Sequence, residues 1–129
     1  MQSLSNQELA DMLCYVAERS KLTMERVQSI HSFHEFLNTP GNMDIFDATC
    51  MRLQTIGETI RCIDELTGKE LLAQYPEVPW RHVIGLRNII SHDYLSIDPE
   101  EIYKIVKVNM PLLHKVILRI LHDVEMSPA

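Results

Sequence analysis

The chain has 129 residues, 46% of them hydrophobic, and a formal net charge of −6 at pH 7. A chain of this length can bury one core but has little room for a second module, so we predict a single domain over residues 1–129. The negative charge argues against non-specific nucleic-acid binding through a broad basic face. Any contact with nucleic acid must therefore be local.

The sequence contains neither a candidate membrane span nor a closely spaced CxxC pair of cysteines. No stretch reaches the roughly 18 apolar residues of a membrane span, and the N-terminus lacks a basic segment followed by an apolar one. We therefore predict a cytoplasmic protein. Cys14, Cys50 and Cys62 are odd in number and far apart, unlike a zinc site or redox centre. They are predicted to be reduced and mostly buried.

Two helices are predicted before residue 40. Ser5 and Glu8 form a capping box, and apolar residues follow at helical spacing, so the first helix is predicted over residues 5–20. Thr23 is a plausible cap for a second helix, which ends at the turn signal of residues 39–42. The apolar positions of this second helix are Val27, Ile30, Phe33 and Leu37.

His31, His34 and Glu35 raise the question of a metal site, because positions three apart share a helix face. No further ligand at a diagnostic spacing accompanies them. We interpret them as partly exposed surface residues and predict no metal.

A long third helix carries the strongest pattern. Its apolar residues recur at intervals of three and four, which indicates a core seam or, alternatively, a seam for self-association. Gly57 lies within it and suggests the close approach of another helix. Arg52, Glu58 and Arg61 lie off the stripe and could border a cleft. The stripe consists of Phe46, Thr49, Leu53, Ile56, Ile60 and Ile63.

A fourth helix is predicted to follow a break. Thr67 and Gly68 end the long helix, a short helical turn follows near Leu71, and Pro79 suits the first position of a new helix. Trp80 is better explained as a core anchor than as a platform for stacking a base. Val83, Leu86 and Ile90 then share one face, with Arg87 at its edge, and the helix is predicted to end near His92.

Asp98 and Pro99 mark the start of the last helix, with Glu101 completing a capping box. Apolar residues continue to Leu121, and Pro111 predicts a kink over residues 107–111. Lys104 and Lys107 could flank the same cleft as Arg87 or lie on a solvated face. Five helical segments without an alternating strand pattern indicate an all-α, up-and-down bundle.

Residues 87–94 carry the chemistry. Arg87 offers a planar fork of donors that fits a phosphate, and His92 can give or take a proton near neutral pH. Such a pair can cleave RNA without a metal, because one group moves a proton while the other stabilises charge at phosphorus. Positions five apart are separated by roughly 140° on an ideal helix. Either the helix ends between them or a second chain completes the site.

Arg87, His92 and Tyr94 form the pattern Arg-x4-His-x-Tyr, with Asn88 directly after the arginine. This pattern resembles the signature of the HepT-like toxin branch of the HEPN superfamily of small helical proteins. The similarity extends upstream in the same order. The upstream residues are Ile56, Gly57, Glu58, Tyr75, Pro76, Val78, Pro79 and Trp80.

The resemblance implies a homodimer whose two motifs line one composite cleft, with metal-independent endoribonuclease activity and no cofactor. Arg87 would hold the scissile phosphate and stabilise its charge, and His92 would transfer the proton. Asn88 and Asp93 would orient those two groups, and Tyr94 would contact RNA or phosphate. The products would carry a 2′,3′-cyclic phosphate and a 5′-hydroxyl.

The resemblance also implies a partner. HepT-like proteins act as toxins of toxin–antitoxin pairs, and their antitoxin is a minimal nucleotidyltransferase that transfers AMP to the tyrosine of the motif. Tyr94 is the matching position. A bulky anion beside Arg87 would compete with the substrate phosphate.

Two other interpretations stay open. The chain could be a non-catalytic helical module that binds nucleotide or scaffolds the transferase, in keeping with its negative charge. Alternatively, Arg87 pairs structurally with a carboxylate such as Glu58, and His92 only adds a favourable charge at a helix C-terminus. Substituting Arg87 and His92 separates these interpretations from catalysis.

Overall fold

The computed structural model describes residues 4–90 and 94–127, with Tyr94 described by its backbone alone. All regular structure in these residues is helical, which confirms the predicted all-α class. The helices are α1 (Asn6–Arg26), α2 (Pro40–Leu66), α3 (Trp80–Gly85), α4 (Pro99–Lys104) and α5 (Met110–Met126). Short 3₁₀ turns are Phe33–Leu37, Leu72–Gln74, Leu86–Asn88 and Tyr94–Ser96, and a π-helical turn, Ile105–Asn109, joins α4 to α5.

The first helix begins as predicted and ends later. The Ser5 hydroxyl accepts a hydrogen bond from the Glu8 N–H at 3.0 Å, and the Glu8 carboxylate accepts one from the Ser5 N–H, which confirms the capping box. The helix then continues to Arg26. Thr23 does not cap a new helix, because it is buried within α1 and its hydroxyl donates to the Arg19 carbonyl at 2.7 Å.

The predicted second helix is therefore wrong. Its sequence forms the end of α1, a connecting segment and the 3₁₀ turn Phe33–Leu37. The predicted stop signal at residues 39–42 is in fact the start of α2, because the Thr39 hydroxyl accepts from the Asn42 N–H at 3.1 Å and Pro40 opens the helix. The labels α4 and α5, together with the π turn between them, denote one continuous helix. The described residues therefore contain four helices, whereas the sequence predicted five.

The apolar stripe of the long helix α2 faces the interior. All six of its residues are buried, and Ile56 and Ile60 have no exposed surface. The stripe is thus a core seam covered within the chain, and the alternative of a self-association seam is wrong. Around it, α1 packs against both α2 and α5, and α3 packs against α2. Thr67 and Gly68 end α2 as predicted, with Gly68 at a φ of 66°.

The last helical stretch contains the predicted irregularity. Asp98 caps α4 by accepting from the Glu100 N–H at 3.0 Å, and Pro99 occupies the first turn. The π-helical turn Ile105–Asn109 ends two residues before Pro111, whose missing N–H and bulky ring disturb the regular hydrogen-bond ladder. Across residues 4–90 and 94–127, no helix combines the length and apolar character needed to cross a membrane.

Candidate active site

Tyr75 anchors the segment that leads into α3. Its hydroxyl donates to the Asp123 carboxylate at 2.6 Å, and its carbonyl accepts from the Trp80 indole N–H at 2.8 Å. The Arg119 guanidinium lies 5.1 Å from the centroid of the Tyr75 ring and also pairs with Glu77. Burial raises the pKa of Tyr75 to about 12, with a further contribution from the bond to Asp123. Trp80 packs against the core, which confirms its role as an anchor.

Gly57 fixes where the chain crosses α2 after this anchor. A Cβ at position 57 would lie 2.5 Å from the backbone nitrogen of Arg87 and 2.9 Å from the carbonyl oxygen of Val83. Both are backbone atoms, so neither can move aside as a flexible side chain would. The predicted close approach is confirmed, and it places the Arg87 backbone directly on α2.

Arg87 and Asn88 lie on an exposed turn. The α-helix ends at Gly85, and Leu86–Asn88 continues as a 3₁₀ turn in which both side chains are exposed. The prediction of a helix reaching His92 is therefore wrong. Gly85, the last α-helical residue, has a low helix propensity, and the tighter 3₁₀ turn lets the chain follow the surface of α2. Arg87 thus already lies beyond the end of α3.

Of the five predicted site residues, the structure places only the first two in full. His92 and Asp93 lie outside the described residues. Tyr94 opens the 3₁₀ turn Tyr94–Ser96, and its side chain lies outside the description. The catalytic roles of these residues stay predictions.

Glu58, the carboxylate considered as a structural partner of Arg87, is bound by another arginine. Arg61 donates to it at 2.6 Å and also pairs with Glu65 at 2.9 Å. The hydrogen bond from Arg61 is the main cause that lowers the pKa of Glu58, and the charge of Arg87 makes the smallest contribution. The charge of Arg87 thus slightly lowers the pKa of Glu58, but the ion pair of Glu58 is with Arg61.

A groove that the sequence did not reveal lies beside this turn. It has a volume of about 750 Å³ and runs between α3 and the helix that contains the π turn. Val108 and Leu112 on its far wall are 63% and 42% exposed, which is high for apolar residues. Its apolar lining includes Val83, Leu86, Ile89, Ile105, Val108 and Leu112. Leu86 and Ile89 flank Arg87 in sequence, so the groove borders the motif.

The two lysines that were predicted to flank the cleft or to lie on a solvated face have different surroundings. Lys107 donates from Nζ to the carbonyl of Val27 at 3.0 Å and lies 5.5 Å from the centroid of the Tyr103 ring. It therefore stabilises the C-terminal end of α1, where unpaired carbonyls attract a cation. Lys104 is exposed on α4 and does not line the groove.

The cysteines and the paired histidines have ordinary structural surroundings. All three cysteines are free thiols, which confirms the prediction of reduced residues. Cys50 is fully buried, and burial raises the pKa of its thiol to about 12, while Cys14 and Cys62 are half-buried. His31 and His34 are exposed near the 3₁₀ turn Phe33–Leu37.

Comparison with known proteins identifies the family. The family model "Ribonuclease HepT-like" matches residues 17–120, most of the chain. This chain belongs to the HepT-like ribonuclease family. "Putative RNase MJ1380" of Methanocaldococcus jannaschii is 32% identical over 112 residues, which cover 87% of this chain and 95% of that protein. "Probable ribonuclease HepT" of Thermococcus cleftensis is 29% identical, over 80% of this chain and 86% of that protein. No solved structure matches the chain.

Three of the upstream residues that carry the HepT-like resemblance make contacts that hold α3 and the turn after it in place. Gly57 permits the contact between α2 and the turn that bears Arg87. Tyr75 and Trp80 hold the start of α3 against α5 and the core. These three residues thus position the turn that bears Arg87 and Asn88.

Proposed function

We propose that this chain is a metal-independent endoribonuclease and the toxin of a toxin–antitoxin pair. The observation that carries the proposal is the placement of Arg87 in a HepT-like chain. Its backbone is held against Gly57, its side chain is exposed, and its neighbours Leu86 and Ile89 line an open groove. A guanidinium on a fixed backbone can meet a phosphate at low entropic cost, which is what transition-state stabilisation requires.

In the proposed reaction the ribose 2′-hydroxyl attacks the adjacent phosphorus, and the 5′-oxygen of the next nucleotide leaves. His92 moves the proton of one of these oxygens, and Arg87 stabilises the charge that develops on the phosphate. Asn88 and Asp93 orient these two groups, and Tyr94 contacts the RNA. The bond changes leave a 2′,3′-cyclic phosphate on one product and a 5′-hydroxyl on the other.

The proposed site is shared by two copies of the chain. The apolar groove beside Arg87 supports this arrangement, because exposed apolar surface of this kind marks an interaction site and here adjoins the motif. A second copy covering the groove would bring its own motif to the same cleft. Because the net charge of the chain is negative, RNA would bind at the composite cleft, where Arg87 of each copy supplies local positive charge.

The test uses protein made without any partner. Single-stranded RNA is incubated with the chain in excess chelator, alongside His92→Ala and Arg87→Ala, and the product ends are identified. We expect cyclic-phosphate ends from the unaltered chain and a loss of at least about a hundredfold in rate for either variant. His122→Ala, an exposed histidine on α5, should leave the rate unchanged. Cleavage of an all-deoxy strand would exclude the mechanism.

We further propose that a minimal nucleotidyltransferase antitoxin transfers AMP from ATP to the Tyr94 hydroxyl, with release of pyrophosphate. Leu95, the next residue, is 91% exposed, so this segment is accessible to a partner enzyme. Co-expression with the transferase should add the mass of one AMP group to the chain and abolish cleavage. Tyr94→Phe should remain unmodified, so co-expression with the transferase should leave its own cleavage rate unchanged. An unmodified mass together with lost activity would indicate inhibition by occlusion instead.

The negative net charge favours a second candidate, a non-catalytic module that scaffolds the transferase. A scaffold would show no cleavage in the chelator experiment, and Arg87→Ala and His92→Ala would retain binding to the transferase. If the chain is a ribonuclease, Arg87→Ala and His92→Ala should abolish its toxicity on expression. If it is a scaffold, both variants should keep the phenotype of the unaltered chain.

A further inference from the structure

The groove beside α3 carries opposite charges on its two walls. Arg81 lines it from α3, and Asp98 and Glu101 line it from the other wall, which consists of α4, the π turn and α5 and is called the α4–α5 wall. Arg81 and Glu101 are exposed, and neither side chain forms a hydrogen bond or an ion pair within residues 4–90 and 94–127. The groove therefore presents an unpaired cation and an unpaired carboxylate to an occupant.

These two charges lie toward opposite ends of the groove. The Tyr75 hydroxyl is bonded to Asp123 in the last part of α5, and the Trp80 indole is bonded to the Tyr75 carbonyl. The start of α3, with Arg81, is thereby held toward the α5 end. Glu101 lies roughly 33 Å from Asp123 along the continuous helix, at a rise of 1.5 Å per residue. Glu101 therefore marks the α4 end.

The shape of the groove limits what can fill it. Val108 and Leu112 on the α4–α5 wall are 63% and 42% exposed, and apolar surface of this kind marks an interaction site. Two grooves placed mouth to mouth would leave a void between them, whereas a ridge seated in a groove restores close packing. The fitting occupant is thus an apolar ridge that carries a charge of each sign or meets one. The α4–α5 wall is itself such a ridge.

We propose that a second copy of the chain is the occupant, with the α4–α5 wall of each copy seated in the groove of the other. A two-fold axis perpendicular to the groove reverses its direction, so the α4 end of one copy meets the α5 end of the other. Glu101 of each copy then pairs with Arg81 of the other, and the contact forms twice. The inference rests on the proposed function, because it gives the register of the dimer that forms the composite site.

The charges favour a second copy over RNA in this groove. RNA brings only negative charge at its phosphates, and Asp98 and Glu101 on one wall would repel it. A two-fold interface requires one surface that supplies both members of each contact, and this groove does so with Arg81 and Glu101. Charge pairs of this kind set the register and orientation of two partners.

The test reverses each charge in turn. Arg81→Glu places two carboxylates at each contact of a homodimer, and Glu101→Arg places two cations there. We expect either substitution to raise the dissociation constant of the homodimer at least about tenfold, measured by sedimentation equilibrium. Glu101→Arg also changes the net charge from −6 to −4, which by itself would favour association. Weaker association of this variant therefore reports the contact and not the overall charge.

Mixing the two variants tests the reciprocal register. In a mixed dimer one copy supplies both carboxylates and the other supplies both cations, so each contact again joins opposite charges. We expect the equimolar mixture to associate with a dissociation constant within about threefold of that of the unaltered chain. The double variant Arg81→Glu/Glu101→Arg should recover as a homodimer to a similar extent.

Two control variants make the same charge changes outside the groove. Lys21 is exposed on α1, and Glu100 is exposed beside Glu101 in the first turn of α4, but neither lines the groove. Lys21→Glu and Glu100→Arg should change the dissociation constant by less than about twofold. Glu100→Arg also has the same effect on the helix dipole as Glu101→Arg, so the two variants should have similar Tm values.

Three results would overturn the inference. One is association of Arg81→Glu and Glu101→Arg that is as tight as that of the unaltered chain, and another is a mixture that fails to associate. The third is an unaltered chain that stays monomeric at every concentration measured. In that case, weaker binding of a 2′-O-methyl uridine strand by Arg81→Glu would assign the groove to RNA, and weaker binding of the transferase would assign it to that protein.

The cleavage assay in chelator keeps this inference separate from the proposed function. A chain that dimerises as the charge reversals predict, but does not cut RNA, would refute the proposed nuclease alone. A chain that cuts RNA while its association is unaffected by the reversals would refute the inference alone.

Discussion

The two sides of α3 differ sharply in how they are packed. On the side that faces α2, Gly57 leaves no room for even a methyl group beneath the backbone of Val83 and Arg87. On the other side, an open groove of about 750 Å³ separates α3 from the π turn. The packed side therefore determines where Arg87 lies, and the open side leaves surface for another molecule. A rigid scaffold next to an uncovered surface suits a site completed by a partner.

The largest expected effect on stability is that of Gly57→Ala, which adds a Cβ on the side of α3 that packs against α2. Alanine ordinarily stabilises a helix interior by about 1 kcal/mol, but here its Cβ collides with backbone atoms. We expect overpacking to prevail and to lower the free energy of unfolding by about 2 kcal/mol or more, measured by urea denaturation. The displaced Arg87 backbone should also reduce the cleavage rate.

Gly85→Ala is the matched control on the other side of α3. No atom lies within 4 Å of a Cβ at position 85. This variant should unfold at an equal or higher urea concentration, with a gain of up to about 1 kcal/mol. Equal destabilisation by the two substitutions would contradict the difference between the sides.

The second prediction concerns the open side. Leu112→Glu places a charge on the apolar groove wall and should raise the dissociation constant of the proposed dimer at least tenfold, about 1.4 kcal/mol or more, with loss of the proposed cleavage. Because Leu112 is already partly exposed, the Tm at low concentration should change little. Sedimentation equilibrium measures the dissociation constant. Leu118→Glu, at a residue of similar exposure on α5 outside the groove, should leave it unchanged.

The smallest effect concerns the anchor at the start of α3. Tyr75→Phe removes the hydrogen bond to Asp123 and should cost about 1 kcal/mol near neutral pH. Because the pKa of Tyr75 is raised from 10.0 to about 12 in the folded chain, the folded state keeps a proton that the unfolded state loses. The stabilisation is complete below pH 10 and is lost as the pH rises through 12.

Measuring the free energy of unfolding at a series of pH values tests whether stability falls as Tyr75 loses its proton. The unaltered chain should lose stability between pH 10 and 12, and Tyr75→Phe should lose less over the same interval. Identical pH profiles for the two proteins would mean that Tyr75 is not the titrating group.

Local patterns predicted much of the fold. The caps at Ser5 and Asp98, the buried stripe of α2 and the break at Gly68 all follow from residue type and spacing within one turn or a few turns of helix. The prediction failed at Thr23, where a good cap residue bonds instead to a carbonyl of its own helix. Both arrangements use the same hydroxyl, and only packing against the rest of the bundle selects one.

For the site, the sequence by itself determined the residue types: an arginine, a histidine and a tyrosine in the spacing of the HepT-like family. It also located Gly57 as a point of close approach. Only the tertiary structure decided that α3 ends at Gly85, that Arg87 rests on α2, and that Lys107 serves α1. The groove arises between helices distant in sequence. Spacing along one helix fixes which residues share a face, but what that face meets depends on how the other helices pack.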